Sequence, residues 1–320
     1  MRSSLLPTEP IPTFFPYAVM NQSDNDGYQT PEFQNKITLQ LSRNESTCAI
    51  ENLGDKLAHL NHALISNYPD HQELQYQLGQ YCNIPADRVV VTAGGDDGID
   101  RVIRHAIQGS AKTIVTHAPA FEMVDIYCRN HGGSMTHVPW LAGDFPVKQF
   151  VDQIDEQTAL VVLTSPNNPT GGVISMDVIH EVNQAAKKVG AKLLIDHAYI
   201  EFADQNPLAE LIADDNLIII RTFSKAWGLA GLRVGYLLAP SLEFANTMRN
   251  SSGPFPVSAV SLELARLSLM EFQHSMEHNV SQIKKFRELL IDLVTQCGGN
   301  SIETQGNFIL VKFEDADQIW

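Results

Sequence analysis

Residues 217–233 read LIIIRTFSKAWGLAGLR: four apolar residues, a polar turn, then a glycine-punctuated stretch ending in arginine. The run Leu217–Ile220 has the uninterrupted apolar character of a strand buried on both faces. Ser224, Lys225 and Arg233 follow within one compact segment. A hydroxyl and a guanidinium are good phosphate ligands, and a lysine in a partly desolvated pocket can act as an amine nucleophile. A loop of solvated charges is the alternative. It would leave Phe223, Trp227, Leu229 and Leu232 exposed in the same segment, which disfavours it.

Working outward, the same alternation recurs. Strands are expected at Val89–Thr92, Thr113–Thr116, Met135–Pro139, Ala159–Thr164, Lys192–Ile195 and Val234–Ala239. Between them, Ile99, Val102, Ile103, Ala106 and Ile107 share one helical face, a helical stretch starts near Phe121, and Val178, Ile179, Val182, Ala185, Ala186 and Val189 mark an amphipathic helix. Strands alternating with helices give an α/β fold: a large domain with a mainly parallel sheet flanked by helices. Ligands of such sheets bind beyond the carboxyl ends of the strands.

The expected organisation has three parts. Residues 1–36, rich in proline and polar residues, read as an N-terminal arm, and residues 37–245 as the large domain. Residues 246–320 read as a small α+β domain. Two long helical patterns follow Ser241, the second carried by Ile283, Phe286, Leu289, Leu290, Leu293 and Val294. A Gly298-Gly299 break then leads to a strand at Phe308–Phe313.

Composition narrows the function. Net charge is −15, from 22 basic and 37 acidic side chains, which repels phosphate backbones and anionic membranes. Nucleic acid and membrane are therefore not the expected partners. Cys48, Cys82, Cys128 and Cys297 stand far apart, with no C-x-x-C pair and no histidine at ligand spacing. They read as reduced thiols in a cytoplasmic protein, with no metal site. The opening segment is broken by Pro7, Pro10, Pro12 and Pro16, which argues against a signal peptide.

Two further polar clusters follow apolar strands. Ser165–Gly171, SPNNPTG, makes a tight turn whose side-chain amides are free to bond a ligand. An ordinary surface turn explains it equally well. Asp196 closes the run Leu193-Leu194-Ile195, with Tyr199 three residues on. A carboxylate there is costly to bury unless it meets a cation or a donor. An exposed aspartate capping the next turn is the common alternative.

Taken together, SPNNPTG, DHAYIEF at 196–202 and SKAWGLAGLR at 224–233 resemble, in order and spacing, the signature of class I/II aminotransferases of pyridoxal-phosphate (PLP) fold type I. The histidinol-phosphate aminotransferase branch is the nearest resemblance, and Tyr68-Pro69-Asp70 matches it too. The likeness runs from about Leu39 to the chain end. It implies PLP as cofactor, carried by Lys225 as a Schiff base. Lys225 would also shuttle a proton between the substrate carbon and the cofactor carbon.

By the same resemblance Asp196 would pair with the pyridinium nitrogen, while Asn168 and Tyr199 would hydrogen-bond the ring oxygen. Ser224, Arg233 and the backbone N–H groups of Gly95 and Asp96 would hold the phosphate at a helix N-terminus, with the Asp96 side chain capping that helix. Phe121 would stack on the ring, although a core phenylalanine fits that position nearly as well. Tyr68 would reach the phosphate of a neighbouring subunit, which implies a homodimer. The substrates implied are an amino acid or amino-alcohol phosphate as donor and a 2-oxo acid as acceptor. Decarboxylation of a phosphorylated amino acid, or non-catalytic binding of the cofactor, are the alternatives.

The sequence departs from that family in three places. His197 replaces a usual glutamate, and Thr47 stands where a proline is usual after Asn44-Glu45. The chain stops at Trp320, before the segment in which relatives carry the arginine for the substrate carboxylate. The small domain is therefore expected to be incomplete relative to the family.

Overall fold

A computed structural model describes residues 43–314 except His59. The expected arm at 1–36 and the end at Trp320 lie outside the described residues. The seven strands of the main sheet are β1 (Val89–Thr92), β2 (Thr113–Ala118), β3 (Ser134–Pro139), β4 (Thr158–Thr164), β5 (Lys192–Asp196), β6 (Leu217–Thr222) and β7 (Gly235–Leu238). Their order is β1-β7-β6-β5-β4-β2-β3. Only β7 runs antiparallel to its neighbours, so the sheet is mainly parallel as expected.

The two-residue period of the strands sends alternate side chains to opposite faces. Val89, Val91, Val161, Leu163, Leu193, Ile195, Leu217 and Ile219 enter one core. There they meet Leu74 and Leu78 of the helix Gln72–Cys82 and Ile179, Val182 and Ala186 of the helix Met176–Val189. Val90, Leu160, Val162, Leu194, Ile218 and Ile220 enter the other core, against Ile99, Val102 and Ile103 of the helix Gly94–Ala106. Local signals set the helix ends. Ser175 accepts a hydrogen bond from the Val178 N–H at one end of its helix, and Gly190 adopts the left-handed conformation at the other.

This parity positions the site. Asp196 lies opposite Ile220 in the β5–β6 register, and so takes the face of the Gly94–Ala106 helix. Arg221 lies opposite Tyr236 and takes the other face. Gly235 on β7 lets the sheet approach the start of that helix, since a Cβ there would lie 2.5 Å from the Gly94 carbonyl carbon.

The C-terminal part differs from expectation in three respects. Three helices follow Ser241, not two: Leu242–Asn250, Ala259–Glu271 and Gln273–Gln296. Separate caps at Ser241 and Ser258 start the first two. The boundary expected at 245 falls inside the first of these helices, whose Ala245 and Met248 are fully buried in the sheet core. The strand expected at Phe308–Phe313 shrinks to β9 (Val311–Lys312), paired with β8 (Asn300–Ser301). Phe308 instead packs edge-on against Tyr199, with ring centroids 5.1 Å apart. Among the described residues no helix is long and apolar enough to cross a membrane.

Candidate active site

The loops after β1, β4, β5 and β6 leave the sheet at the same side, the carboxyl ends of these co-directional strands. The β4 turn is tied to β5 by the Ser165 N–H, which donates to the Asp196 carbonyl at 3.0 Å. It is tied to the β2 loop by Asn167, whose Nδ2 donates to the Pro119 carbonyl at 2.9 Å. Gly171 turns with φ of 78° and packs so closely on Thr304 that no Cβ would fit. Asn168 lies half-buried within this turn.

Asp196 is 4% exposed. Its Oδ1 accepts from the Ala198 N–H at 3.0 Å, and it joins no ion pair among the described residues. Burial pushes its pKa up to about 6, despite that hydrogen bond and the positive charge of Lys225. Lys225 Nζ stands 5.3 Å from the centre of the Tyr199 ring and donates to the Arg43 carbonyl at 2.9 Å. Burial lowers the Lys225 pKa against the pull of Asp96, Glu45 and Asp196. The amine is thereby easier to deprotonate, as a nucleophile needs. Tyr199 Oη accepts from Asn44 Nδ2 at 3.1 Å.

Beside them, Arg233 Nη1 lies 3.4 Å from Ser224 Oγ, and Nη2 pairs with the Asp96 carboxylate at 2.8 Å. The guanidinium rests against Gly94, where a Cβ would come within 2.5 Å of Nη2. The helix Gly94–Ala106 thus points its first turn, with Gly95 and Asp96, at this cluster. Asp96 does not cap the helix as expected. That position belongs to Asp97, which accepts from the Ala93 N–H at 2.7 Å and is held by Arg101.

The sequence matches the family described as aminotransferase class I and II over residues 35–320. The chain belongs to the class I and II aminotransferases. It is 33% identical over 255 residues to a histidinol-phosphate aminotransferase of Methanococcoides burtonii, covering 77% of this chain and 67% of the relative. Against the enzyme of the same name from Thermoanaerobacter pseudethanolicus it is 32% identical over 264 residues, covering 80% and 72%. The fold is also that of the Sinorhizobium meliloti histidinol-phosphate aminotransferase solved with pyridoxal-5'-phosphate. The TM-score is 0.76 at 23% identity, covering 85% of this chain and 75% of the other. The architecture is accordingly PLP fold type I.

As a class I and II aminotransferase the protein uses pyridoxal 5'-phosphate, and the residues present fit that group. A buried carboxylate outside any ion pair matches a protonated ring nitrogen. A half-buried amine of lowered pKa matches an aldehyde carbon. A glycine-lined guanidinium with a hydroxyl beside it matches a phosphate.

Of the other expected residues, Phe121 is half-buried against the core that contains Ile99 and Ile103. Tyr68 is 82% exposed and stacks on Phe255, with ring centroids 4.6 Å apart. Within this chain it is not grouped with Lys225.

Sequence reasoning passed over a second polar group, behind the sheet. Arg221 and Glu201, both buried, pair at 3.1 Å, and His197 lies fully buried near them with its pKa lowered to about 3 by burial and by Arg221. His197 is therefore uncharged at neutral pH. It also passed over Asn307, whose Nδ2 donates to the Asn44 carbonyl at 3.0 Å and joins the loop before β9 to the segment over Lys225. No local signal marks Asn307. Arg221 and Glu201 were visible only as charges in apolar surroundings.

The folded pKa of Asp196, about 6, lies above its unfolded value of 3.8. The folded apoprotein therefore holds this proton more tightly. The cost of ionising Asp196 is absent below pH 4 and complete above pH 6, where it reaches roughly 3 kcal/mol. The variant Asp196→Asn should raise the melting temperature of the apoprotein at pH 8 and leave it nearly unchanged at pH 4. Equal shifts at both pH values would show that Asp196 is not held at a cost.

Proposed function

We propose that this aminotransferase takes the amino group of a histidinol-phosphate-like amino-alcohol phosphate, or of an amino acid, and passes it to a 2-oxo acid. The observation that carries the reading is Lys225 itself. Its side chain is half-buried and its pKa is lowered by desolvation, and the carboxylate of Asp196 and the Ser224–Arg233 pair lie around it. The relatives named for histidinol phosphate support the donor class.

The cofactor, when bound, supplies an electron sink for the carbon that carries the amine. Each residue then has a definite task. Lys225 would hold the cofactor through its Nζ and would move a proton at the substrate carbon with that same nitrogen. Asp196 keeps the ring nitrogen protonated. A carboxylate in so dry a position gains most from a facing cation, because screening there is weak. Tyr199 and Asn168 donate to the ring oxygen and favour its anionic form. Ser224, Arg233 and the N–H groups of Gly95 and Asp96 grip the phosphate, with the helix dipole adding to the hold. Phe121 covers the ring.

A second copy completes the site in this reading. Tyr68, exposed on its own subunit, reaches the phosphate held by the partner, so the working unit is a homodimer with shared sites.

A spectral screen of donors tests the reaction. Purified protein loaded with the cofactor should lose its yellow absorbance on addition of histidinol phosphate and regain it with a 2-oxo acid. Release of carbon dioxide without a keto product would replace transamination by decarboxylation. No change with any amine would make the protein a binder only. Sharing of the site is tested by mixing two damaged subunits, Tyr68→Ala and Lys225→Ala. Mixed dimers should recover activity that neither variant shows alone. No recovery would place Tyr68 outside the partner's site.

A further inference from the structure

The first turns of the Gly94–Ala106 helix carry three carboxylates, Asp96, Asp97 and Asp100, next to the place where an anion must bind. Two of them are engaged away from it. Asp97 is held by Arg101 and the Ala93 N–H, and Asp100 accepts from His131 Nε2 at 2.6 Å. Asp96 alone of the three meets a cation of the site, and it meets Arg233 at 2.8 Å. Both partners of that pair are near half exposure, at 49% for Arg233 and 42% for Asp96.

The arginine has little freedom to serve two anions at once. Its backbone sits in the left-handed region with φ of 52°, and Gly94 leaves room for the guanidinium on one side. Nη1 is spanned by Ser224 Oγ and the Ala230 carbonyl at 3.4 and 3.3 Å. Nη2 is the arm held by Asp96. Bidentate grip of a phosphate needs two parallel N–H donors from one guanidinium.

We propose that Asp96 is a positioning residue that competes with the cofactor phosphate for Arg233. Its carboxylate parks the guanidinium against Gly94 and must share or release Nη2 when the phosphate arrives. The negative charge at Asp96 therefore loosens the hold on the cofactor, and the bond to Nη2 keeps the arginine in place between occupants. The inference rests on Lys225 and Arg233 forming the cofactor site, as proposed above. Asparagine at this position keeps a carbonyl to orient the arginine and removes the charge.

Calorimetric titration of apoprotein with pyridoxal 5'-phosphate, and separately with inorganic phosphate, tests it. Asp96→Asn should bind both more tightly than the unaltered protein, by roughly three- to fivefold for a half-exposed ion pair. In an Arg233→Met background the same substitution should give little or no gain, because the contested group is gone. Unchanged or weaker binding by Asp96→Asn overturns the proposal, and so does an equal gain without the arginine. Asp96→Ser serves as a second charge-removing variant and must show the same sign if Asp96→Asn does not fold. Should the unaltered protein bind no cofactor, the assignment of the site falls and takes this inference with it. Binding by the unaltered protein without a gain in the variant removes only the role of Asp96.

Discussion

The arrangement turns on one carboxylate, Asp196, that is buried and joins no ion pair among the described residues. Asp196 ends β5 on the face shared with the Gly94–Ala106 helix, and its described hydrogen bond comes from the Ala198 backbone. Each cation nearby is committed elsewhere. Arg221 is spent on Glu201 behind the sheet, Arg233 on Asp96, and the Lys225 ammonium donates to the Arg43 carbonyl. A buried ion left in this state costs free energy that the rest of the core must offset. In the proposed reading a ring nitrogen that carries a proton would remove that cost on binding, and folding and cofactor affinity would be linked through this group.

Strand parity separates the tasks of neighbouring residues. Along β6 and its exit, Ile220 and Thr222 face the helix and Arg221 faces the opposite core. One strand thereby supplies the approach to Ser224 and Lys225 on one side and a buried ion pair on the other. The Arg221–Glu201 pair fastens the β6 strand to the short turn after Tyr199, the two segments next to the proposed reacting groups Lys225 and Asp196. Truncating one partner would strand the other as a buried charge and destabilise the fold.

Much of this was legible before any coordinates. Apolar runs marked β4 and β6 because both faces of a parallel sheet are covered, β-branched or strand-like segments marked β1, β2 and β5, and the polar residues after β5 and β6 drew attention to Asp196 and Lys225. What escaped has identifiable causes. Asp96 and Asp97 are adjacent and chemically identical, so only the helix phase decides which one ties back to Ala93 and which meets Arg233. Phe308–Phe313 has the composition of a strand, but Phe308 is used to pack Tyr199, and pairing survives only at Val311–Lys312. Asn307 and Arg221 act through partners 263 and 20 residues away, and no local pattern encodes such a contact. Tyr68 is exposed and stacks on Phe255 within this chain, and so its proposed role rests on resemblance alone.

The central claim is that the Lys225 amine is the covalent seat of the cofactor. Borohydride reduction of the cofactor-loaded protein, followed by digestion and mass spectrometry, reads it directly. The account predicts the reduced cofactor on the peptide containing Lys225, and its loss in Lys225→Ala. A label on any other lysine, or a label that survives that substitution, would contradict it.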